Sequence, residues 1–198
     1  MTRLLIQALC IRRGDRVLVP TLDLAVTSGE LLHVRGANGS GKTTLLEMLA
    51  GLRPAEGIRR EPEDMPLHWI GHRNALASHL SPIENLQFWC GVNGVDAAGV
   101  VPALERMRLP PAARRRPVRM LSAGQKRRSA LARLLLVQRP LWLLDEPLDG
   151  LDRDGIAILG ELLSAHVRAG GLVVMTSHQA LPANLPSVRE IELARGMM

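Results

Sequence analysis

Cysteine is scarce in this chain: Cys10 and Cys90 are the two among 198 residues. They lie far apart and form neither a CxxC redox pair nor a zinc-ligand spacing, so both thiols are expected to be buried or inert, as suits a reducing compartment. The six histidines include no HExxH pair. No apolar run reaches the roughly 18 to 20 residues of a membrane span, because residues such as Arg139 and Asp145 interrupt each candidate. A bilayer-crossing helix is thereby excluded. The opening MTRLLIQALCI has the length of a signal core, but Arg12 and Arg13 follow at once with no small-residue cleavage site, and a first β-strand is expected instead. Internal repeats and low-complexity tracts are absent, and so is tyrosine. Lysine is nearly missing as well: of 25 basic residues, Lys42 and Lys126 alone are lysines, which makes each position informative.

What is present suits one compact α/β domain. Hydrophobic residues make up 46% of the chain, ample for a core, and the net charge of +6 fits a nucleotide, an anionic lipid surface or nucleic acid without choosing among them. Leu22 to Val26 and Leu31 to Arg35 read as strands with a turn at Gly29, and a helix is expected over Lys42 to Ala50, stopped by Gly51 and Pro54. Leu141 to Leu144 and Leu172 to Met175 are short continuous apolar runs, the pattern of parallel strands buried on both faces. Between these halves the texture turns helical. Ser81-Pro82-Ile83-Glu84 is a capping box with proline at the first helical position, and a break falls at Leu109-Pro110-Pro111. The expected organisation is a core of residues 1–74 and 140–198 with an inserted helical lobe, 75–139. Arg114-Arg115-Arg116 is read as a solvated linker.

Chemistry enters at Gly36-Ala37-Asn38-Gly39-Ser40-Gly41-Lys42-Thr43-Thr44, whose first eight residues match the phosphate-loop pattern GxxxxGK[ST] between a strand and a helix. Glycines let the backbone amides turn inward onto phosphate oxygens, and the helix N-terminus adds favourable partial charge. Lys42 would reach the β and γ phosphates as a compact cation, where a guanidinium would fit poorly. Thr43 offers a hydroxyl to Mg²⁺. The apolar strand ending in Asp145-Glu146 would supply the metal-binding carboxylate, Asp145, and a general base for the attacking water, Glu146, one step nearer solvent. Thr176-Ser177-His178 closes another strand, and His178 is a candidate γ-phosphate sensor.

LSAGQKRRSALARLLL, residues 121 to 136, then becomes legible. Leu121-Ser122-Ala123-Gly124-Gln125 resembles the LSGGQ signature of the ATP-binding cassette family, with Ala123 in the middle. The resemblance covers essentially the whole chain, because phosphate loop, signature, Asp-Glu strand and histidine arrive in the family's order. It implies a phosphate-loop fold with a mostly parallel core sheet, an N-terminal β region and an inserted helical subdomain, ATP and Mg²⁺ as ligands, and ATPase activity. It also implies a head-to-tail homodimer in which Ser122 and the Gly124 amide of one subunit face the γ-phosphate held by the other. On that pattern the basic helix behind the turn is mainly scaffold, and Asp152 of Leu148-Asp149-Gly150-Leu151-Asp152 falls at the D-loop position that reaches the opposite site. Two positions depart from the family: Arg12 or Arg13 stands where an aromatic residue usually stacks on adenine, and His72 stands at the Q-loop glutamine, which leaves its metal role open.

Trp69-Ile70-Gly71-His72 and Leu80-Ser81-Pro82-Ile83-Glu84-Asn85-Leu86 resemble the branch that serves cytochrome c maturation, a haem exporter-type complex in which a histidine in the Q-loop is familiar. That likeness implies two copies beneath membrane subunits of the CcmB type, at the cytoplasmic face of a bacterial inner membrane, with an apolar groove between the helical lobe and the His72 region for the partner. The alternatives are an ATPase subunit of another transporter of the same family and a soluble, nucleic-acid-associated cassette ATPase. The second needs a long coiled-coil arm, and the 80 residues from Lys42 to Ser122 leave no room for one. Nucleic acid is therefore not an expected partner.

Overall fold

The computed structural model describes residues 2–183 and 185–193. The chain opens with two long antiparallel strands, β1 (Arg3–Arg13) and β2 (Arg16–Thr27), and β4 (Ile58–Glu61) joins β1 to complete a three-stranded sheet in the order β2-β1-β4. A second sheet holds β3 (Leu31–Arg35), β5 (Leu67–Ile70), β6 (Leu141–Leu144), β7 (Leu172–Thr176) and β8 (Val188–Glu192) in the order β5-β6-β7-β3-β8, and all four of its pairings are parallel. Helix α1 (Lys42–Leu49) follows β3 through the glycine-rich loop, and the long α6 (Arg153–Arg168) links β6 to β7.

The apolar runs of β6 and β7 are continuous because each face of the sheet meets its own core. Trp142, Leu144, Val173 and Met175 pack on one side with α6 and the helices that follow β5. Leu141, Leu143, Leu172 and Val174 pack on the other with α1 and the antiparallel sheet. Strands β5 and β8 are the edges, and β8 carries Arg189, Glu190 and Glu192, charges that discourage pairing with another chain.

Between β5 and β6 the described residues contain helices and no strand: α2 (Pro82–Val92), α3 (Val100–Arg106), α4 (Pro111–Arg114) and α5 (Ala123–Leu131), the last continued by a tight turn over Ala132–Leu135. Ser81 caps α2 by accepting from the Glu84 amide while the Glu84 carboxylate accepts from Ser81 N–H, and Pro82 occupies the first helical position. The arginine run is only partly a solvated linker. Arg115 and Arg116 are exposed, but Arg114 ends α4, packs at 14% side-chain exposure, and donates to the Leu109 carbonyl (2.8 Å) and the Glu105 carboxylate (2.7 Å). Both cysteines are free, Cys90 buried and Cys10 half-buried.

The seam between this helical region and the sheet is aromatic. His68 stacks on Trp89 of α2 (centroids 5.8 Å apart), meets Trp142 edge-on, and donates from Nε2 to the Val137 carbonyl at 2.9 Å. Burial pushes the His68 imidazole down to about 4; the Val137 bond opposes this, and the Arg139 and Arg133 charges reinforce it. A folded value below the ordinary 6.5 means that the unfolded chain binds the extra proton, so this stabilisation is complete above pH 6.5 and disappears as pH falls toward 4. The loss amounts to about 3 kcal/mol. Denaturant titrations between pH 7 and 4 are expected to give a flatter pH dependence for His68→Gln than for the wild type; equal slopes would refute the assignment.

Candidate active site

The phosphate loop wraps the start of α1. Gly41 caps the helix at φ 107°, a left-handed backbone that a side chain would strain, and a Cβ there would also press on Ile11 and Leu18 at 3.2 to 3.3 Å. Ala37, Asn38 and Gly39 are exposed along the loop, Ser40 and Thr44 are buried, and Gly36 follows the end of β3. Lys42 is buried in the first turn of α1, and its ammonium bridges the loop by donating to the carbonyls of Gly36 (2.8 Å) and Ala37 (3.3 Å). A compact three-donor group suits that concavity, as a planar guanidinium would not.

Facing the loop across about 410 Å³ of open space is the end of β6. The Asp145 carboxylate, 1% exposed, accepts from Thr43 Oγ1 through Oδ2 (3.0 Å) and from Thr176 Oγ1 through Oδ1 (2.9 Å). Thr176, at the end of β7, also accepts from the Glu146 amide at 2.8 Å, so one hydroxyl fixes both acidic residues. Glu146, one step further along the chain, is 8% exposed against 1% for Asp145 and lines the cavity. Its backbone adopts φ 48°, a left-handed conformation costing a non-glycine residue about 1 to 3 kcal/mol, of the kind retained where a side chain must be aimed. Oε2 accepts from the His178 amide at 3.0 Å, while Oε1 is buried without a hydrogen bond and has the His178 ring at 3.5 Å. A carboxylate oxygen with no fixed donor, on a residue that lines the cavity, is placed to take a proton from water.

Among the described residues no three acidic, histidine or cysteine side chains cluster as a metal site. One carboxylate and one hydroxyl, Asp145 and Thr43, meet at 3.0 Å beside the phosphate loop, a donor set that fits a Mg²⁺ completing its shell with nucleotide oxygens and water. His72 lines the same cavity, as do Arg13 and Asp149; of the two arginines weighed for adenine, Arg13 is the one at the site.

Helix α5 scaffolds the carboxylates. Arg127, 3% exposed, donates to the carbonyls of Asp145 (2.8 Å), Glu146 (2.6 Å), Pro147 (3.3 Å) and Gly71 (2.9 Å) and to Asn74 Oδ1 (3.1 Å). Burial lowers its pKa, partly offset by Asp149, Asp145 and Glu146. A flat five-donor fork can satisfy this many converging carbonyls where an ammonium cannot, which accounts for arginine here. Arg133 similarly reaches the Asn74 carbonyl at 2.8 Å, its pKa pulled down to about 10 by burial and then by Arg127. Sequence reasoning assigned these residues only a general scaffold role, and it missed Thr176 and Asp149 as site residues.

The signature turn stands apart from this cavity. Ser122 and Ala123 are exposed, Gly124 and Gln125 half-buried, and none of the four lines the space around Lys42. Ser122 caps α5: its Oγ accepts from the Gln125 amide (3.2 Å), which leaves the hydroxyl proton to donate outward, and Gln125 Oε1 accepts from Ser122 N–H (3.1 Å). Gly124 meets the next loop so closely that a Cβ would stand 2.6 Å from the Gly150 carbonyl oxygen. Asp152, expected at an opposite site, is engaged within its own chain: it caps α6 through the Gly155 amide (2.8 Å) and pairs with Arg128. The Gly155 bond, more than Arg128, holds its carboxyl below the usual range.

A strand, a glycine-rich loop, a helix opened by Lys42-Thr43 and a neighbouring strand ending in Asp145-Glu146 define a phosphate-loop nucleoside triphosphatase. The family model for ABC transporters matches residues 19–149. The Cytochrome c biogenesis ATP-binding export protein CcmA of Methylococcus capsulatus is 48% identical over 87% of this chain and 88% of its own, and that of Hyphomonas neptunium 45% identical over 93% of each. Among solved structures, an ABC transporter ATP-binding protein from Pyrococcus furiosus superposes with a TM-score of 0.79 at 21% identity, covering 95% of this chain and 96% of that one. The cassette MJ0796, solved as a dimer bound to ADP and Pi, gives 0.74 at 20% identity over 90% and 88%. These likenesses establish the fold. The chain belongs to the ATP-binding cassette family, in its CcmA branch.

Proposed function

We propose that two copies of this chain close head to tail on ATP and hydrolyse it as the nucleotide-driven subunits of a membrane complex for cytochrome c biogenesis. One observation carries the composite site: the signature turn is capped and exposed, yet contributes nothing to the cavity beside its own phosphate loop. A second copy brings that turn, with its outward Ser122 hydroxyl and the N-terminus of α5, onto the γ-phosphate. Lys42 and the loop amides hold the phosphates, Thr43 and Asp145 hold Mg²⁺, and Glu146 receives the proton of the attacking water while His178 orients it. The metal, when bound, neutralises charge on the phosphate oxygens. ATP binding closes the pair and hydrolysis opens it, and the membrane partner uses that motion.

Among the described residues no helix is long and apolar enough to cross a membrane. An integral partner of the CcmB type would meet the groove of about 300 Å³ between α2 and β5, which is lined by Trp69, Ile70 and Trp89 and not, as expected, by His72; Phe88 and Val92, exposed one turn apart on α2, offer it further apolar surface. The nucleic-acid alternative is disfavoured because the longest helix between phosphate loop and signature is the 11-residue α2, too short for a coiled-coil arm. Gentle detergent extraction of the tagged protein is expected to bring down an integral membrane companion, and haem staining of a Glu146→Gln strain to show lost c-type cytochromes. Intact cytochromes would remove the maturation role while leaving the ATPase.

A further inference from the structure

His33 is a histidine in the middle of the otherwise apolar central strand β3, 4% exposed, between β7 and β8. A buried imidazole there needs partners on both nitrogens. Nδ1 lies 3.0 Å from the carboxylate of Glu190, its register neighbour on β8, and Nε2 lies 3.3 Å from the carbonyl oxygen of Ser177, just beyond β7. Both partners are acceptors. Glu190 is held below the usual carboxylate range by the His33 bond and then by Arg35, so it is ionised at neutral pH. Whichever ring nitrogen bonds its partner does so as the donor, and toward the Ser177 carbonyl that nitrogen is Nε2.

The Ser177 carbonyl belongs to the same peptide group as the His178 N–H, and that N–H donates to Glu146 Oε2 at 3.0 Å. We infer that His33 is a positioning residue for hydrolysis: by donating to one end of the 177–178 peptide it aims the other end at the Glu146 carboxylate and sets the stance of His178. The proposal rests on Glu146 acting as the base. Donation to the carbonyl polarises the peptide, so the N–H is a stronger donor toward Glu146, and the plane of the peptide cannot rotate without breaking a bond at each end. Glu190 holds the ring from the far edge of the sheet, with half of its own side chain in solvent. Arg35 reaches Glu190 rather than His33, at 3.1 Å.

Four variants test this by steady-state ATPase assays and by sedimentation with ATP. His33→Leu removes both ring nitrogens and is expected to lower kcat about tenfold with KM for ATP within about twofold, and to prolong the ATP-bound dimer. His33→Gln keeps an amide donor for the Ser177 carbonyl and is expected to recover most of that loss. Glu190→Ala, at the half-exposed end, removes the acceptor that fixes Nδ1, lets the ring turn away from the Ser177 carbonyl, and is expected to lower kcat about threefold. A purely structural His33 would instead lower the melting temperature and raise KM together, or make the leucine and glutamine variants equivalent; either result, or an unchanged kcat in all three, overturns the proposal. Glu146→Gln is the control for the underlying reading. Should it retain turnover, the base is misassigned whatever the His33 variants do.

Discussion

Glu146→Gln is expected to lower ATP turnover by at least about a hundredfold, the usual contribution of a positioned general base, while nucleotide binding persists. The amide is isosteric, can still accept from the His178 N–H through its oxygen, and leaves the Asp145, Thr43 and Thr176 bonds untouched, since none of them involves the Glu146 side chain. What disappears is the basic oxygen. With chemistry blocked and the phosphate loop intact, ATP should hold two subunits together, so the variant is expected to sediment as a dimer in ATP where the wild type turns over and separates. Full hydrolysis by monomeric Glu146→Gln would remove Glu146 from its role. Because Glu146 sits at φ 48°, Glu146→Gly offers a companion measurement: it relieves the backbone strain, so stability is expected to hold or rise although activity is lost as in the glutamine variant.

Ser122→Arg has the second large effect, and for a different reason. The position is exposed at the start of α5 and lines no part of its own chain's nucleotide cavity, so ATP affinity of the isolated protomer should hardly change. Losing the cap to the Gln125 amide costs about 1 kcal/mol of stability, which a folded domain tolerates. In the closed pair proposed above, however, the long side chain would stand where the Ser122 hydroxyl is to approach the partner's γ-phosphate. Hydrolysis is expected to fall at least about a hundredfold together with loss of ATP-dependent dimers, with nucleotide binding retained. Unchanged turnover would mean that the turn never meets a nucleotide.

Much of this site was legible because its motifs join a local sequence pattern to a local backbone requirement. Gly36 to Thr43 could be read without any knowledge of tertiary contacts, and Asp145-Glu146 stood out as charge at the end of an apolar run. The apolar strands β6 and β7 were readable for the same reason, being buried on both faces. The edge strands were not: Ile58–Glu61 and Val188–Glu192 are rich in arginine and glutamate, carry no burial pattern, and owe their conformation to backbone pairing with β1 and β3. Arg127 was hidden in another way. In sequence it is one basic residue in a basic helix, and its role depends on five acceptors that lie 18 to 56 residues away along the chain and meet only after folding. Asp152 shows the reverse case, where family pattern suggested a role across an interface and the chain first uses the carboxylate as a helix cap and ion-pair partner. His33 had no sequence signal beyond a polar residue interrupting a strand.

The central claim is that neither copy of the chain completes a hydrolytic site by itself. The most direct measurement is specific ATPase activity across a dilution series of purified protein, with sedimentation run in parallel. The account predicts activity per protomer that falls on dilution and tracks the dimer fraction; constant activity at concentrations where every molecule is a monomer would contradict it.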